Sequence, residues 1–161
     1  MTPSAVSCDE FRAAYTNERM PGPASRLTSP TYQAWVSHLS TCRACADWFQ
    51  GEEVKRKGID LGRFPCVHLA YYTAAWVEDA PPPSESQSRR TAIVYQARFD
   101  EFGIHLFDGS VIGIRHCPWC GVATPPSRRE EWFARLKALG FDDPVDQRVP
   151  PEFQTDAWFR R

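Results

Sequence analysis

The sequence has no long apolar run and almost no net charge. No hydrophobic segment approaches the length of about 20 residues that a membrane-spanning helix needs, and the first residues, MTPSAVSCDEFRAAY, lack the basic and apolar regions of a secretory signal. The formal net charge of −1 gives no strong attraction to nucleic acid or to an anionic membrane. We therefore expect a cytoplasmic protein with no membrane partner.

Disulfide bonds are not expected in that reducing compartment, although the chain of 161 residues contains 6 cysteines. The cysteines must then serve metal binding, catalysis or packing, and their spacing decides among these roles. The composition is otherwise that of a folded chain, with 42% hydrophobic and 13% aromatic residues. Six thiols in such a chain make metal binding the first hypothesis to examine.

The first part of the sequence has helical patterns. Ser7 with Glu10 forms a capping-box pattern, and Ser29-Pro30 is an N-cap followed by a proline at the first helical position. Apolar residues then recur at helical spacing, so a second helix is predicted from about Pro30 into the region of Cys42. We predict a helical lobe over residues 1–58.

The second part mixes strand and helix signals. A polar, proline-rich stretch over residues 78–90 reads as an exposed linker or loop. It is followed by a predicted strand, TAIVYQARF, and by a hairpin, GIHLF and VIGIR, turning at Asp108-Gly109. Ser127 with Glu130 predicts a capped helix ending at Gly140. The fold class is therefore α+β, with a β-hairpin, zinc-ribbon-like lobe and its C-terminal helix over residues 59–161.

One group of metal-binding residue types lies in the helical lobe. His38, Cys42 and Cys45 occupy positions i, i+4 and i+7, which share one face if the predicted helix continues through them. Cys8, on the preceding helix, is the natural fourth ligand. Three thiolates and an imidazole favour zinc in a closed tetrahedral site. Buried cysteines beside a surface histidine are the alternative.

These residues resemble a known family. Cys8 followed by the His38-x-x-x-Cys42-x-x-Cys45 motif is similar to the zinc-binding anti-sigma-factor domain, a small helical module. In that family the domain sequesters a sigma factor, in some members under thiol redox control. The resemblance covers about the first 55 residues and implies these four residues as zinc ligands. It does not imply that this chain binds a sigma factor.

A second group combines Cys66-Val67-His68 with Cys117-Pro118-Trp119-Cys120. The segment CPWCG after a hairpin has the form of a zinc knuckle, in which Gly121 permits a tight turn. With Cys66 and His68, taken as part of a strand, it completes a second site of three cysteines and one histidine. His116 could replace His68 as ligand, although its position next to Cys117 usually turns the side chain away.

A redox pair is the competing interpretation of Cys117 and Cys120. Thioredoxin-like chemistry normally places the first cysteine at the N-terminus of a helix, whose dipole lowers the thiol pKa. Here the second cysteine is followed by GVATPP, which cannot continue a helix. The pattern therefore favours a metal site over a thiol redox protein.

The C-terminal part resembles a second family. The order of FDEFGIHLFDGS, IRHCPWCG, PPSRREEWFARLKALGFDDP and VPPEFQTDAWF is similar to small bacterial and phage domains of uncharacterised function. The match spans about residues 91–160. It implies a zinc-binding fold built around the CPWCG knuckle, with an upstream cysteine and histidine, and implies no activity.

Both groups supply four protein ligands, whereas a hydrolytic zinc site keeps one position open for water. We therefore predict two structural zinc ions and no enzymatic activity. The leading hypothesis is a protein–protein interaction module, an inhibitor or regulator of anti-sigma or immunity type, and the alternative is a zinc-ribbon nucleic-acid-binding regulator. The aromatic residues that could anchor a partner, or instead close the core, are Trp48, Phe49, Trp76, Trp158 and Phe159.

Overall fold

The fold is known from a computed structural model that describes residues 6–17, 29–74, 93–106, 108, 110–145 and 147–160. The predicted linker, Trp76 and the glycine of the predicted hairpin turn lie outside these residues. The chain forms two compact units, Met1–Glu53 and Val54–Arg161. The described part contains no helix long and apolar enough to cross a membrane.

Within the described residues, five helices and a three-stranded antiparallel sheet confirm the predicted α+β class. The helices are α1 (Cys8–Asn17), α2 (Pro30–Thr41), α3 (Arg43–Arg56), α4 (Val67–Ala74) and α5 (Arg129–Ala138). The strands, in sheet order, are β1 (Ile93–Gln96), β2 (Glu101–His105) and β3 (Val111–Gly113). Short 3-10 helices occur at Leu61–Arg63, Ala97–Phe99, Pro151–Gln154 and Asp156–Trp158.

Both predicted helix starts in the first unit are confirmed. The Glu10 backbone N–H donates to Ser7 Oγ at 3.2 Å, and the Ser7 N–H donates to Glu10 Oε2 at 2.8 Å, which completes the capping box. Ser29 Oγ accepts from the Tyr32 N–H at 3.3 Å, and Pro30 opens α2. The core of this unit consists of Phe11, Trp35 and Cys45.

The single helical face predicted for His38, Cys42 and Cys45 is wrong, because the helix breaks between them. Helix α2 ends at Thr41, Cys42 has an extended backbone with φ −107° and ψ 95°, and α3 begins at Arg43. The hydroxyl groups of Ser40 and Thr41 donate to the Ser37 carbonyl at 2.8 and 3.1 Å. Such side-chain bonds compete with helix continuation, so Cys45 lies on the next helix.

In the second unit the strand predicted through Phe99 is shorter than expected. Strand β1 ends at Gln96 and passes into the 3-10 helix Ala97–Phe99, which closes at Asp100. Asp100 has φ 51°, a left-handed conformation that aspartate tolerates better than most residues. The reversal buries Phe99, which is 2% exposed, and allows β1 to pair with β2 in the register Ile93 to Ile104.

The β2–β3 hairpin is confirmed, with Ile104 opposite Ile112 and Gly103 opposite Gly113. Gly103 is buried and lies close to the neighbouring strand. A Cβ atom at this position would lie 2.3 Å from Val111 Cγ1 and 2.9 Å from the Ile112 carbonyl oxygen. The close approach of β2 and β3 therefore requires a glycine, and strand β3 directs the chain toward Cys117.

The capping box predicted for α5 does not form. The helix begins at Arg129, the N-cap is Arg128 without a side-chain cap, and Ser127 Oγ accepts only from the Arg129 N–H at 3.2 Å. The Arg128 N–H donates to the Phe99 carbonyl at 2.8 Å, and this tertiary bond fixes the chain at the point where α5 begins.

The predicted end of α5 at Gly140 is confirmed. Gly140 has φ 90°, its N–H donates to the Lys137 carbonyl, and the Phe141 N–H donates to the Leu136 carbonyl, each at 3.0 Å. This pair of bonds is a Schellman motif. On the opposite side of the motif, Leu139 is 59% exposed, so the predicted apolar stripe ends one turn earlier, at Leu136.

The C-terminal aromatic residues pack against α5, as the sequence predicts. The buried cluster consists of Phe99, Trp132, Leu136, Val149, Phe153 and Trp158. The Trp132 indole N–H donates to the Phe153 carbonyl and the Trp158 indole N–H donates to the Arg98 carbonyl, both at 2.8 Å. Trp158 therefore closes the core, and Phe159 packs on the same cluster.

Candidate metal centres

The structure brings the four donors of the first predicted site together. Cys8 opens α1, His38 lies on α2, Cys42 occupies the break before α3, and Cys45 lies in the first turn of α3. One ligand atom from each lies within 4.8 Å of all the others, and the sulfur atoms of Cys8 and Cys42 are 3.7 Å apart. These four residues form the N-terminal cluster. The helix break thus positions the donors that a continuous helix was predicted to align.

Hydrogen bonds shift two thiols of the N-terminal cluster in opposite directions. The Cys45 backbone N–H, which points at the Cys42 sulfur, lowers the pKa of Cys42. Hydrogen bonds with the thiols of Cys45 and Cys42 raise the pKa of Cys8 to about 11. Because metal ligation requires thiolates, the Cys42 sulfur is better prepared as a ligand than that of Cys8, which releases a proton when an ion binds.

The imidazole of His38 has the features of a metal ligand. Its Nε2 atom is buried and has no hydrogen-bond partner among the described residues. The Phe11 ring packs beside it, with ring centroids 5.3 Å apart. A buried ring nitrogen without a partner is costly unless something binds it. An ion held by the three sulfur atoms satisfies that requirement, so the donor set fits a metal.

The second predicted site is also assembled. Cys66 directly precedes α4, His68 lies in the first turn of α4, and Cys117 and Cys120 lie in the turn that follows β3. One ligand atom from each lies within 4.8 Å of all the others. These four residues form the C-terminal cluster. The assumption that Cys66 and His68 lie on a strand is wrong, because both belong to the start of a helix.

The CPWCG segment forms the predicted knuckle. The Gly121 N–H donates to the Cys117 carbonyl at 2.9 Å, and the Cys117 N–H donates to the Val122 carbonyl at 2.8 Å. Gly121 has φ 73°, the left-handed conformation that favours glycine. No helix starts at Cys117 or Cys120 in the described chain, so neither thiol has the helix N-terminus typical of a redox pair.

Cys66 is the counterpart of Cys42 in the C-terminal cluster. Each cysteine directly precedes a helix, and its sulfur accepts a hydrogen bond from a backbone N–H in the first turn of that helix. The donor is the Leu69 N–H for Cys66 and the Cys45 N–H for Cys42. Burial nevertheless dominates at Cys66 and raises its thiol pKa to about 12. Such a thiol stays protonated at neutral pH in the absence of an ion, so metal binding and proton release are coupled there.

An aromatic stack lies beside the C-terminal cluster and was not predicted from the sequence. The rings of Trp119 and Tyr72 lie 4.0 Å apart and 8° from parallel. The His68 ring is 6.3 Å from that of Trp119 and also nearly parallel to it. Tyr72 follows His68 by four residues on α4, so the two side chains share one face of the helix. The sequence did not indicate this, because α4 was not predicted.

His116 lies apart from the C-terminal cluster. Its backbone forms an isolated antiparallel bridge with Ala123, its side chain is exposed, and it is not one of the four grouped donors. The grouped donors therefore include His68 and not His116, and the assignment of His68 as the nitrogen ligand stays a prediction.

The protein is thus an α+β protein with two Cys3His clusters that could each hold a metal ion. Comparison with known families matches residues 66–161 to a domain of unknown function, DUF6980, and the chain belongs to that family. The matched region begins at Cys66 and contains all of the C-terminal cluster. No curated protein and no solved structure showed significant similarity to the chain.

Proposed function

We propose that the protein holds one structural zinc ion in each cluster and acts as a non-catalytic module that binds and regulates another protein. The observation that carries the zinc assignment is the repeated donor set of three cysteines and one histidine, each set within 4.8 Å. Three soft sulfur donors and one imidazole select zinc over the harder divalent cations, which prefer oxygen.

The ions have a structural role in this proposal. Each cluster supplies four protein donors, which completes tetrahedral coordination and leaves no position for a reactive water. Cys45 and Cys117 are 0% and 2% exposed, so each ion has at least one ligand buried in the core. Ligand residues come from distant parts of the chain, and zinc binding therefore contributes directly to the free energy of folding.

Surface chemistry favours a protein partner over nucleic acid. The net charge is −1, and the arginines around α5 are engaged with carboxylates: Arg128 and Arg135 with Glu131, Arg129 with Glu101, and Arg160 with Asp156. Paired guanidinium groups are poor phosphate ligands because the bridging carboxylate must first be displaced. The partner-binding role in this proposal is that of an inhibitor or regulator of anti-sigma or immunity type.

The first experiment measures zinc in the purified protein by elemental analysis. We expect about two ions per chain in the wild type and about one in each of Cys45→Ser and Cys117→Ser, because each variant loses one cluster. Pro118→Ala, inside the knuckle but without a ligand atom, is the matched control and keeps both ions. Absence of zinc from the wild type contradicts the metal assignment.

The second experiment tests the partner. Tagged wild-type protein is used to capture material from its native cell extract, with and without nuclease, and each candidate is purified and mixed with the protein at known concentrations. A stoichiometric complex with one purified protein, insensitive to nuclease, is the expected result. Retention that disappears with nuclease contradicts the protein partner and supports nucleic-acid binding.

A further inference from the structure

A cavity of ≈ 540 Å³ lies in the second unit, on the side of the chain where β1 ends and the loop after α5 returns. Its described lining residues are Gln96, Ala97, Arg98, Pro144, Val145, Gln147, Arg148, Val149 and Gln154. None of the eight cysteine and histidine donors is among them. The cavity therefore shares no lining residue with either cluster.

The lining carries two positive charges and no acidic residue among those described. The Arg98 guanidinium is stacked on aromatic rings, 4.6 Å from the centroid of Phe99 and 5.6 Å from that of Trp132. Contact with the rings restrains the guanidinium while its N–H groups stay available. In the described part of the chain neither Arg98 nor Arg148 forms an ion pair with a carboxylate, unlike the arginines at the start of α5.

Two glutamines add hydrogen-bond donors to this lining. The Arg129 guanidinium donates to Gln96 Oε1 at 3.2 Å, and the Asp143 backbone N–H donates to Gln147 Oε1 at 3.3 Å. Because each amide oxygen already accepts a bond from outside the cavity, the NH2 group of each amide remains for a ligand. Guanidinium and amide N–H groups together make the lining rich in donors.

The apolar part of the lining comes from Ala97, Pro144, Val145 and Val149. Val145 is 65% exposed, so the cavity opens at the surface, whereas Val149 is 8% exposed and belongs to the buried core. A volume of this size lies within the range of small-molecule sites. Donor groups beside an apolar wall suit a ligand with an anionic oxygen group on a small organic body.

We propose that this cavity binds a small organic anion, whose carboxylate or phosphate oxygens accept hydrogen bonds from Arg98, Arg148, Gln96 and Gln147. Carboxylate and phosphate groups both present pairs of anionic oxygens, and a guanidinium group recognises such a pair with two parallel N–H donors. This binding is independent of the metal clusters and of any partner. It gives the second unit a ligand site in addition to the C-terminal cluster.

The test is a titration of the zinc-loaded, 15N-labelled protein followed by NMR. One arm adds glycerol 3-phosphate, the other adds succinate, and sodium chloride keeps the ionic strength constant. We expect saturable shifts of the side-chain NH2 signals of Gln96 and Gln147 in at least one arm. The arm that saturates at the lower concentration tells which anionic group the cavity prefers.

Three variants sharpen the test. Arg148→Gln removes an exposed charge, and Gln147→Glu keeps an oxygen for the Asp143 N–H while it replaces the NH2 donors with a negative charge. Each should weaken binding by about tenfold or more, the effect of losing one charge-assisted bond. Lys137→Gln removes one exposed charge of α5 that lies outside the lining, and it should change affinity by less than about twofold.

Two results overturn the proposal. The first is the absence of saturable shifts in both arms, which means that the donors do not form an anion site. The second is equal weakening by Arg148→Gln and Lys137→Gln, which means that the anions respond only to net charge. Zinc content measured before and after each titration separates these results from loss of the fold.

Discussion

The Trp119 ring lies flat on the Tyr72 ring, with centroids 4.0 Å apart and planes 8° from parallel. Trp119 stands between Cys117 and Cys120 in sequence, whereas Tyr72 belongs to the helix that carries His68. The stack therefore joins the knuckle to α4 independently of any ion. Trp119 is 36% exposed, so the stack lies at the surface of the unit beside the cluster.

We predict that Trp119→Ala destabilises the C-terminal cluster. Loss of the stack removes about 0.5–1.5 kcal/mol beyond the area that the ring buries, so the variant should unfold about 2–8 °C lower and release zinc faster to a chelator. Thermal unfolding and a chelator time course measure the two effects. Leu139→Ala, which removes a more exposed apolar side chain elsewhere in the unit, is the control. Equal effects of both variants contradict a specific role for the stack.

The two histidines near the C-terminal cluster should respond differently to substitution. His68→Asn is expected to lose about one zinc ion per chain, because His68 is grouped with the three cysteines. His116→Asn should keep both ions, since its exposed side chain lies outside the group. Elemental analysis of both variants distinguishes the two donors, and the reverse pattern identifies His116 as the ligand.

Tyr95 should make the free energy of unfolding depend on pH in the alkaline range. Its hydroxyl donates to Asp100 Oδ1 at 2.7 Å, and burial, followed by the Asp100 bond, raises the pKa of Tyr95 to about 12 from an ordinary value of 10.0. The unfolded chain therefore releases this proton first. The stabilisation is complete below about pH 10 and is lost as the pH rises through about 12.

The measurement for Tyr95 is the free energy of unfolding in denaturant from pH 9 to pH 12. Wild-type stability should fall with pH more steeply than that of Tyr95→Phe, because the variant lacks the titrating hydroxyl. Other groups titrate equally in both proteins and cancel in the difference. Parallel curves for the two proteins would show that folding does not raise the pKa of Tyr95.

Gly103→Ala should disrupt the hairpin. The added methyl group would lie 2.3 Å from Val111 Cγ1 and 2.9 Å from a backbone oxygen, and overpacking of this kind costs about 1–3 kcal/mol. At Gly113 the nearest atom to an added Cβ is Glu101 Oε1, at 3.1 Å, and that side chain can move. Gly113→Ala should therefore cost less, and unfolding in denaturant compares the two. Equal losses of stability in the two variants contradict the claim that the close approach of β2 and β3 requires a glycine at position 103.

The metal clusters were predictable because ligand chemistry is more specific than local conformation. All eight donors identified from the sequence come together in the two groups, yet two of the elements assigned to them were wrong. Cys42 lies in a helix break, and Cys66 directly precedes helix α4. Residue type and spacing limit which ions can bind, whereas the backbone path between ligands depends on bonds such as that from Thr41 to Ser37.

The two predicted capping boxes show that a local sequence pattern alone does not determine where a helix begins. Ser7 with Glu10 forms the expected reciprocal bonds, whereas Ser127 with Glu130 does not. Before α5, the Arg128 N–H bonds to Phe99, a residue far away in sequence, and this contact decides where the helix begins. Helix α4 was not predicted because it has only 8 residues, and because the residue before it is a cysteine and not one of the usual N-cap residues.

Under the zinc assignment proposed above, the spacing of the ligands sets an order for metal loading during synthesis. The N-terminal cluster is complete in sequence at Cys45, and three of its donors lie within 8 residues, so it can capture an ion while the rest of the chain is still being translated. The C-terminal cluster must wait until Cys120 has emerged and the hairpin has returned to α4. A cell short of zinc would then accumulate chains with a filled first cluster and an empty second one.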